Sequence, residues 1–183
     1  DYYKELGYPE VTNEDEYLDL LKQMQDAHPT TSDGKKVYAL SAWTDWGLWP
    51  YTIAYPFSHG YNNIDNNQLS NEVTNEIEDM FIKEDGIFWQ GLAFFNKAYR
   101  MGIMDPEAFT MKAAQYNEKV KSGAVLTCEY NWVQPDKAVC GDDAADYLIA
   151  GAFPYASQIY LIDNAIGYGK NNCLAISANC KYP

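Results

Sequence analysis

Stretches with a helical period alternate along this 183-residue chain with short β-type runs. That interleaving favours an α/β fold over separate all-α or all-β layers. Thr12 or Asn13 can cap a first helix, with Asp15 and Glu16 behind it in a capping-box-like arrangement. Tyr17, Leu20, Leu21 and Met24 then recur at helical spacing, and Pro29 with the turn Ser32-Asp33-Gly34 ends the helix. Residues 37–41 read as a strand. The strongest helix follows Asp85-Gly86, carries Phe88, Leu92, Phe95 and Tyr99 on one face, and stops at Gly102 in the left-handed position. A second helix is predicted over 109–121, ending at Gly123, and 125–128 is again β-type. Residues 55–72 are polar and Asn-rich and read as a long excursion, with 73–82 as a strand or hairpin arm. Toward the end, 136–146 reads as a loop passing into a short helix, and 158–162 and 173–177 as strands. No internal repeat is visible, and 1–183 reads as a single α/β unit.

Composition narrows the partners. Hydrophobic residues make up 47% of the chain and charged ones 21%, as in an ordinary folded protein with a substantial core. The formal charge of −13 repels phosphate backbones and anionic lipid, and no basic run offsets it, so nucleic acid is excluded as a partner. No stretch approaches the roughly 20 apolar residues of a membrane span. The chain opens abruptly at Asp1-Tyr2-Tyr3 and closes at Cys180-Lys181-Tyr182-Pro183, which reads as an excised segment of a longer protein. Cys128, Cys140, Cys173 and Cys180 allow three pairings, and their spacing does not choose among them. There is no Cys-x-x-Cys pair, and His28 and His59 lie far from the cysteines, so neither a zinc site nor any other metal or cofactor is expected.

Aromatic side chains are the chemical signature: 16 Tyr, 7 Phe and 5 Trp. Trp43, Trp46 and Trp49 fall within seven residues, straight after the predicted strand 37–41, together with Asp45. Loops after strand ends are where open α/β sheets place ligand sites. An indole pairs a flat apolar face with one N–H donor, which suits a sugar ring; it is also a common core residue, and each of these rings fits either role. Tyr130, Asn131 and Trp132 follow the run 125–128 in the same way, and Phe153-Pro154-Tyr155 follows a small-residue stretch. If these loops share one sheet edge, Trp43, Asp45, Trp46, Trp49, Tyr130, Asn131, Trp132 and Tyr155 form a concave aromatic surface with polar anchors. No phosphate loop, nucleophile elbow or His-x-x-x-His arrangement is present. Asp142-Asp143 and Glu76 with Asp79 supply paired carboxylates, which keeps a carbohydrate-active enzyme, or a carbohydrate-binding module, as the alternative reading. The Asn-rich loop lacks the glycine and spacing of an EF-hand.

Several segments, in order, resemble the second lobe of family 1 extracellular solute-binding proteins, the lipoprotein receptors of bacterial ABC importers. They are Tyr2-Tyr3-Lys4-Glu5-Leu6-Gly7-Tyr8-Pro9 with Thr12 and Glu16-Tyr17-Leu18, and His28-Pro29-Thr30-Thr31-Ser32-Asp33-Gly34-Lys35-Lys36. Met101-Gly102-Ile103-Met104-Asp105-Pro106, the run Lys119 to Leu126 and the run Ala175 to Pro183 continue the series. The resemblance implies one lobe of a periplasmic-binding-protein-like (type II) fold, three-layered, with a mixed sheet flanked by helices. It implies no catalysis: an oligosaccharide is gripped between two lobes and delivered to membrane permease subunits. It also implies an extracellular receptor, lipid-anchored in its full-length parent through a segment outside this chain. By position, Trp132 resembles the tryptophan that faces the cleft in that lobe.

Overall fold

The computed structural model describes residues 2–45, 54–65, 67–71 and 73–127. The predicted elements at 136–146, 158–162 and 173–177 lie outside these residues. α1 (Tyr2–Glu5) is a single turn held on the far end of α2 (Glu14–Ala27): Tyr2 stacks on His28 with centroids 3.6 Å apart, and Glu5 sits 2.6 Å from His28 Nε2. The turn between the two helices contains Gly7 and Tyr8, both at positive φ.

Asn13 is the cap of α2, its Oδ1 accepting from Glu16 N at 2.9 Å. The Glu16 carboxylate reaches back to Thr12 N and Oγ1, both at 2.8 Å, so Thr12 and Asn13 share the capping work. Leu18, Leu20, Leu21 and Gln25 are buried, and Tyr17 and Met24 lie partly buried beside them. Gln25 is the polar member of this face. Its Nε2 donates to Gly102 O at 3.0 Å and its Oε1 accepts from Ala39 N at 2.9 Å. One amide thereby satisfies two backbone groups from distant segments, which is why a polar side chain is tolerated in the core.

After the turn at Gly34 the chain is extended through 37–41, the predicted strand. It is bent at Ala39 and makes isolated bridges in place of a continuous ladder: Tyr38 pairs in parallel with Val125, and Leu40 in parallel with Met104. Hydrogen bonds from Tyr38 N to Ala124 O, Leu126 N to Tyr38 O, Leu40 N to Ile103 O and Asp105 N to Leu40 O carry the pairing. Each of the three extended segments follows a helix, and all run the same way. Leu18, Leu21, Ala39, Ala42, Ala98, Ile103, Met104 and Ala108 close the core over them.

The polar stretch read as an excursion is instead ordered. α3 (Tyr55–Ser58) leads into the hairpin of β1 (Tyr61–Asp65) and β2 (Gln68–Asn71), and β3 (Ile77–Asp79) pairs with β2 to complete an antiparallel sheet of order β1-β2-β3. The asparagines make the turns. Asn67 and Asn75 occupy the left-handed region, which Asn tolerates better than other side chains. Asn71 Oδ1 accepts from Val73 N and Thr74 N. The sheet buries Leu69 and Met80 against Tyr55 and against Ile87 and Phe88 of α4 (Ile87–Arg100).

Leu92, Phe94 and Phe95 of α4 touch this cluster and the main core alike, so one helix joins both. α4 ends at Gly102 (φ 73°), as expected. The helix predicted over 109–121 is split. A 3-10 turn at Pro106–Phe109 is capped by Asp105, and α5 (Ala113–Lys121) starts after a break in which Met111 O accepts from Thr44 N and Oγ1. The described residues are thus helices with a small antiparallel sheet and three parallel extended segments. Among them, no helix is long and apolar enough to cross a membrane.

Candidate functional site

The parallel segments bring together the residues that follow them: Ser41 to Asp45 after the first, Asp105 to Glu107 after the second, and Thr127 at the end of the third. Thr127 N and Oγ1 both donate to Ala39 O, at 3.1 and 2.7 Å, which fixes the third segment beside the first. Asp105 is fully buried at this edge. Its Oδ2 accepts from Ser41 Oγ at 3.0 Å and from Lys119 Nζ at 2.6 Å, and its Oδ1 accepts from Glu107 N at 3.0 Å. Lys119 also pairs with Glu107 at 2.7 Å and lies over the Tyr38 ring. Burial opposes its charge, but the bonds to Asp105 and Glu107 prevail and raise the ammonium above its ordinary value. The cluster ties the turn after α4 to α5 and to the first extended segment. Every charge in it has a partner, so it holds the edge in shape.

Trp43 and Asp45 are the two sequence-predicted site residues that the described structure contains. Trp43 is 5% exposed. Its ring lies against Tyr116, centroids 4.7 Å apart, and is enclosed by Met111, Val120 and Val125. Of the two roles open to it, the structure places it in the core. Asp45 is at the surface and caps α5 from a distance: Oδ2 accepts from Ala113 N at 2.6 Å, and Oδ1 lies 3.1 Å from Lys112 Nζ. The Ala113 N–H, then the Lys112 ammonium, hold its carboxyl below the usual range. Each oxygen keeps a lone pair for a further donor. Trp46, Trp49, Tyr130, Asn131, Trp132 and Tyr155 lie outside the described residues.

A separate open hollow of about 530 Å³ lies at the end of the small sheet, between Tyr61, Asn71, Glu76, Ile77 and Lys83. Glu76 and Asp79 both line it. Neither Trp43 nor Asp45 does. Sequence reasoning missed Gln25, Asp105 and Lys119, whose partners lie far away in the chain; the one local signal is Asp105-Pro106, a cap followed by a residue suited to a first helical turn. Comparison of the chain with protein-family models, with curated proteins and with solved structures gives no match in any of the three.

Proposed function

We propose that this chain is one lobe of a two-lobed solute receptor, the binding component of an ABC importer, and that its ligand is an oligosaccharide. In this reading the fold is a periplasmic-binding-protein-like lobe of mixed sheet and flanking helices, and the receptor works outside the cell, lipid-anchored in its parent. It captures ligand by hinge closure, passes it to permease subunits and does no catalysis. The supporting observation is the parallel pairing of Tyr38 with Val125, continued by Thr127 on Ala39. It sets the exits of these two segments at one edge, the position where α/β sheets take ligands. In sequence, Asp45, Trp46 and Trp49 follow the first exit, and Tyr130, Asn131 and Trp132 follow the other. Stacking of flat rings on sugar faces, with Asp45, Asn131 and Tyr155 bonding hydroxyls, is the recognition this composition favours. Trp43 lies beneath that edge as its packed support.

Calorimetric titration of the full-length receptor with neutral oligosaccharides tests the reading. At least one is expected to bind, and Trp132→Ala is expected to weaken it by about tenfold or more, which is about 1.4 kcal/mol. The circular dichroism of the variant should match the parent. Absence of binding by every sugar, or an unchanged affinity in Trp132→Ala, counts against it. Turnover of a chromogenic glycoside would point to an enzyme instead.

A further inference from the structure

His59 closes α3 and is packed against α2. Its Nε2 lies 3.1 Å from Oε1 of Glu14, the first residue of α2. Its Nδ1 lies 2.9 Å from Tyr55 O and 3.0 Å from Ser58 Oγ. Ser58 Oγ donates its own proton to Tyr55 O at 2.7 Å. Both ring nitrogens therefore face acceptors, and the imidazolium is the form that donates to both. A neutral ring has one N–H: if that stays on Glu14, Nδ1 turns a lone pair on the Tyr55 carbonyl unless Ser58 swings its hydroxyl to the ring, and the Glu14 bond has lost its charge. The Tyr55 ring stacks on the imidazole with centroids 4.3 Å apart, and its hydroxyl donates to Glu14 Oε1 at 2.5 Å. Tyr55 in turn is wedged on α4, where a Cβ built on Gly91 would lie 2.7 Å from its Cδ1.

Among the described residues the charged surroundings are few. From α2 come Glu14 and its neighbour Asp15, the latter paired with Lys97 of α4 at 2.6 Å. From α3 come Tyr55 and Ser58, and α4 presents the rings of Phe94 and Phe95 to Tyr55. The His59 side chain itself is 20% exposed.

We propose that the His59–Glu14 contact is a proton-operated latch: the charged imidazole holds α3 and the sheet behind it on the first turn of α2, and loss of the proton releases them. Burial opposes the charge on His59, yet the Glu14 hydrogen bond, the Tyr55 carbonyl and the Glu14 charge outweigh it and raise the imidazole above 6.5. For Glu14, burial pushes the carboxyl up, while His59 and Tyr55 bring it below 4.5. A raised histidine contributes fully below pH 6.5 and loses its contribution as pH rises through the folded value. A lowered carboxyl contributes above pH 4.5 and loses its contribution as pH falls through the folded value. The latch is therefore closed between these limits; it opens on the alkaline side as His59 loses its proton and on the acid side as Glu14 gains one.

The chain has two histidines, so His28→Gln leaves one imidazole to follow by NMR titration of the full chain. His59 should titrate with a midpoint above 6.5, and Glu14→Gln should move that midpoint down. Amide hydrogen exchange, corrected for the intrinsic effect of pH, reads the release. Protection of β1, β2 and β3 should fall about tenfold between about pH 6 and about pH 8.5, and Glu14→Gln should abolish that dependence. A midpoint at or below 6.5 in the parent overturns the latch. So does protection that stays constant with pH, or that falls equally in Glu14→Gln.

Discussion

Asp105 and Lys119 form a pair in which one substitution leaves a buried charge unbalanced. Asp105 has no exposed surface, and its carboxylate is balanced by one ammonium, one hydroxyl and one backbone N–H. Lys119→Met keeps the aliphatic stem but strands a buried anion, a loss of about 3–5 kcal/mol on the scale of broken buried pairs. Asp105→Asn keeps an acceptor and removes the charge, and Lys119 retains Glu107, so its cost should be smaller. Urea unfolding of the two variants checks this order; equal losses, or a loss for Lys119→Met under about 1 kcal/mol, would show that water relaxes the site. None of this was legible residue by residue. Lys119 has the look of an ordinary surface lysine on a helix, and Asp105 that of a turn residue, because the carboxylate and its ammonium meet only after 105 and 119 are folded together. Trp43 was half legible: its chemistry fits a stacking platform and a core plug equally, and the residues that decide, Met111 and Tyr116, lie more than 60 positions away.

Helix α4 shows how an element can be legible in kind and only partly in orientation. The row Phe88, Leu92, Phe95 and Tyr99 marks the helix, and Phe88, Leu92 and Phe95 pack inward, but Ile87, Gly91 and Ala98 are buried as well and Tyr99 is exposed. At 3.6 residues per turn the buried arc is rotated by roughly 60° from the large-residue row. Small side chains define the close approach, and periodicity arguments count large ones. The hairpin was missed for a related reason: its strands are mostly polar, and the asparagines that suggest a loop are the residues that make its turns. Gly91 supplies the prediction at this scale. Alanine there should favour the helix by about 1 kcal/mol over glycine. However, its Cβ meets Tyr55 at 2.7 Å, and that ring is stacked on His59 and bonded to Glu14. We expect the overpacking to prevail, with Gly91→Ala losing about 1–3 kcal/mol in chemical denaturation. A more stable variant would show that Tyr55 moves freely. Phe88 and Leu92 were in the sequence; the gap that admits Tyr55 was not.

Across the described residues, the alternation of helices with β-type runs was legible, and so was the extended character of 37–41 and 125–127. The junction of the main core with the small sheet was not, because it depends on single contacts: α4 spans both, Lys97 pairs with Asp15, and His59 meets Glu14. Glu14 of this junction is also one of several carboxylates that shape the pH response of an acidic chain. Glu14, Glu16, Asp33 and Asp45 all have carboxyls lowered from their ordinary values in the folded state. Burial works against Glu14, with His59 and Tyr55 prevailing; Thr12 lowers Glu16, Lys35 and Thr31 lower Asp33, and Ala113 N–H with Lys112 lowers Asp45. The unfolded chain therefore takes up protons first as pH falls, and stability drops from about pH 4.5 downward. A net charge of −13 pulls the other way, since protonation relieves its self-repulsion. The two effects separate in salt, which screens diffuse repulsion over a Debye length of about 8 Å at physiological strength but leaves short hydrogen bonds in place. Urea midpoints measured from about pH 3 to about pH 6 should rise with pH, and the rise should persist in about 0.5 M salt. A midpoint that climbs as the solution is acidified would mean that repulsion across the whole surface outweighs the four lowered carboxyls.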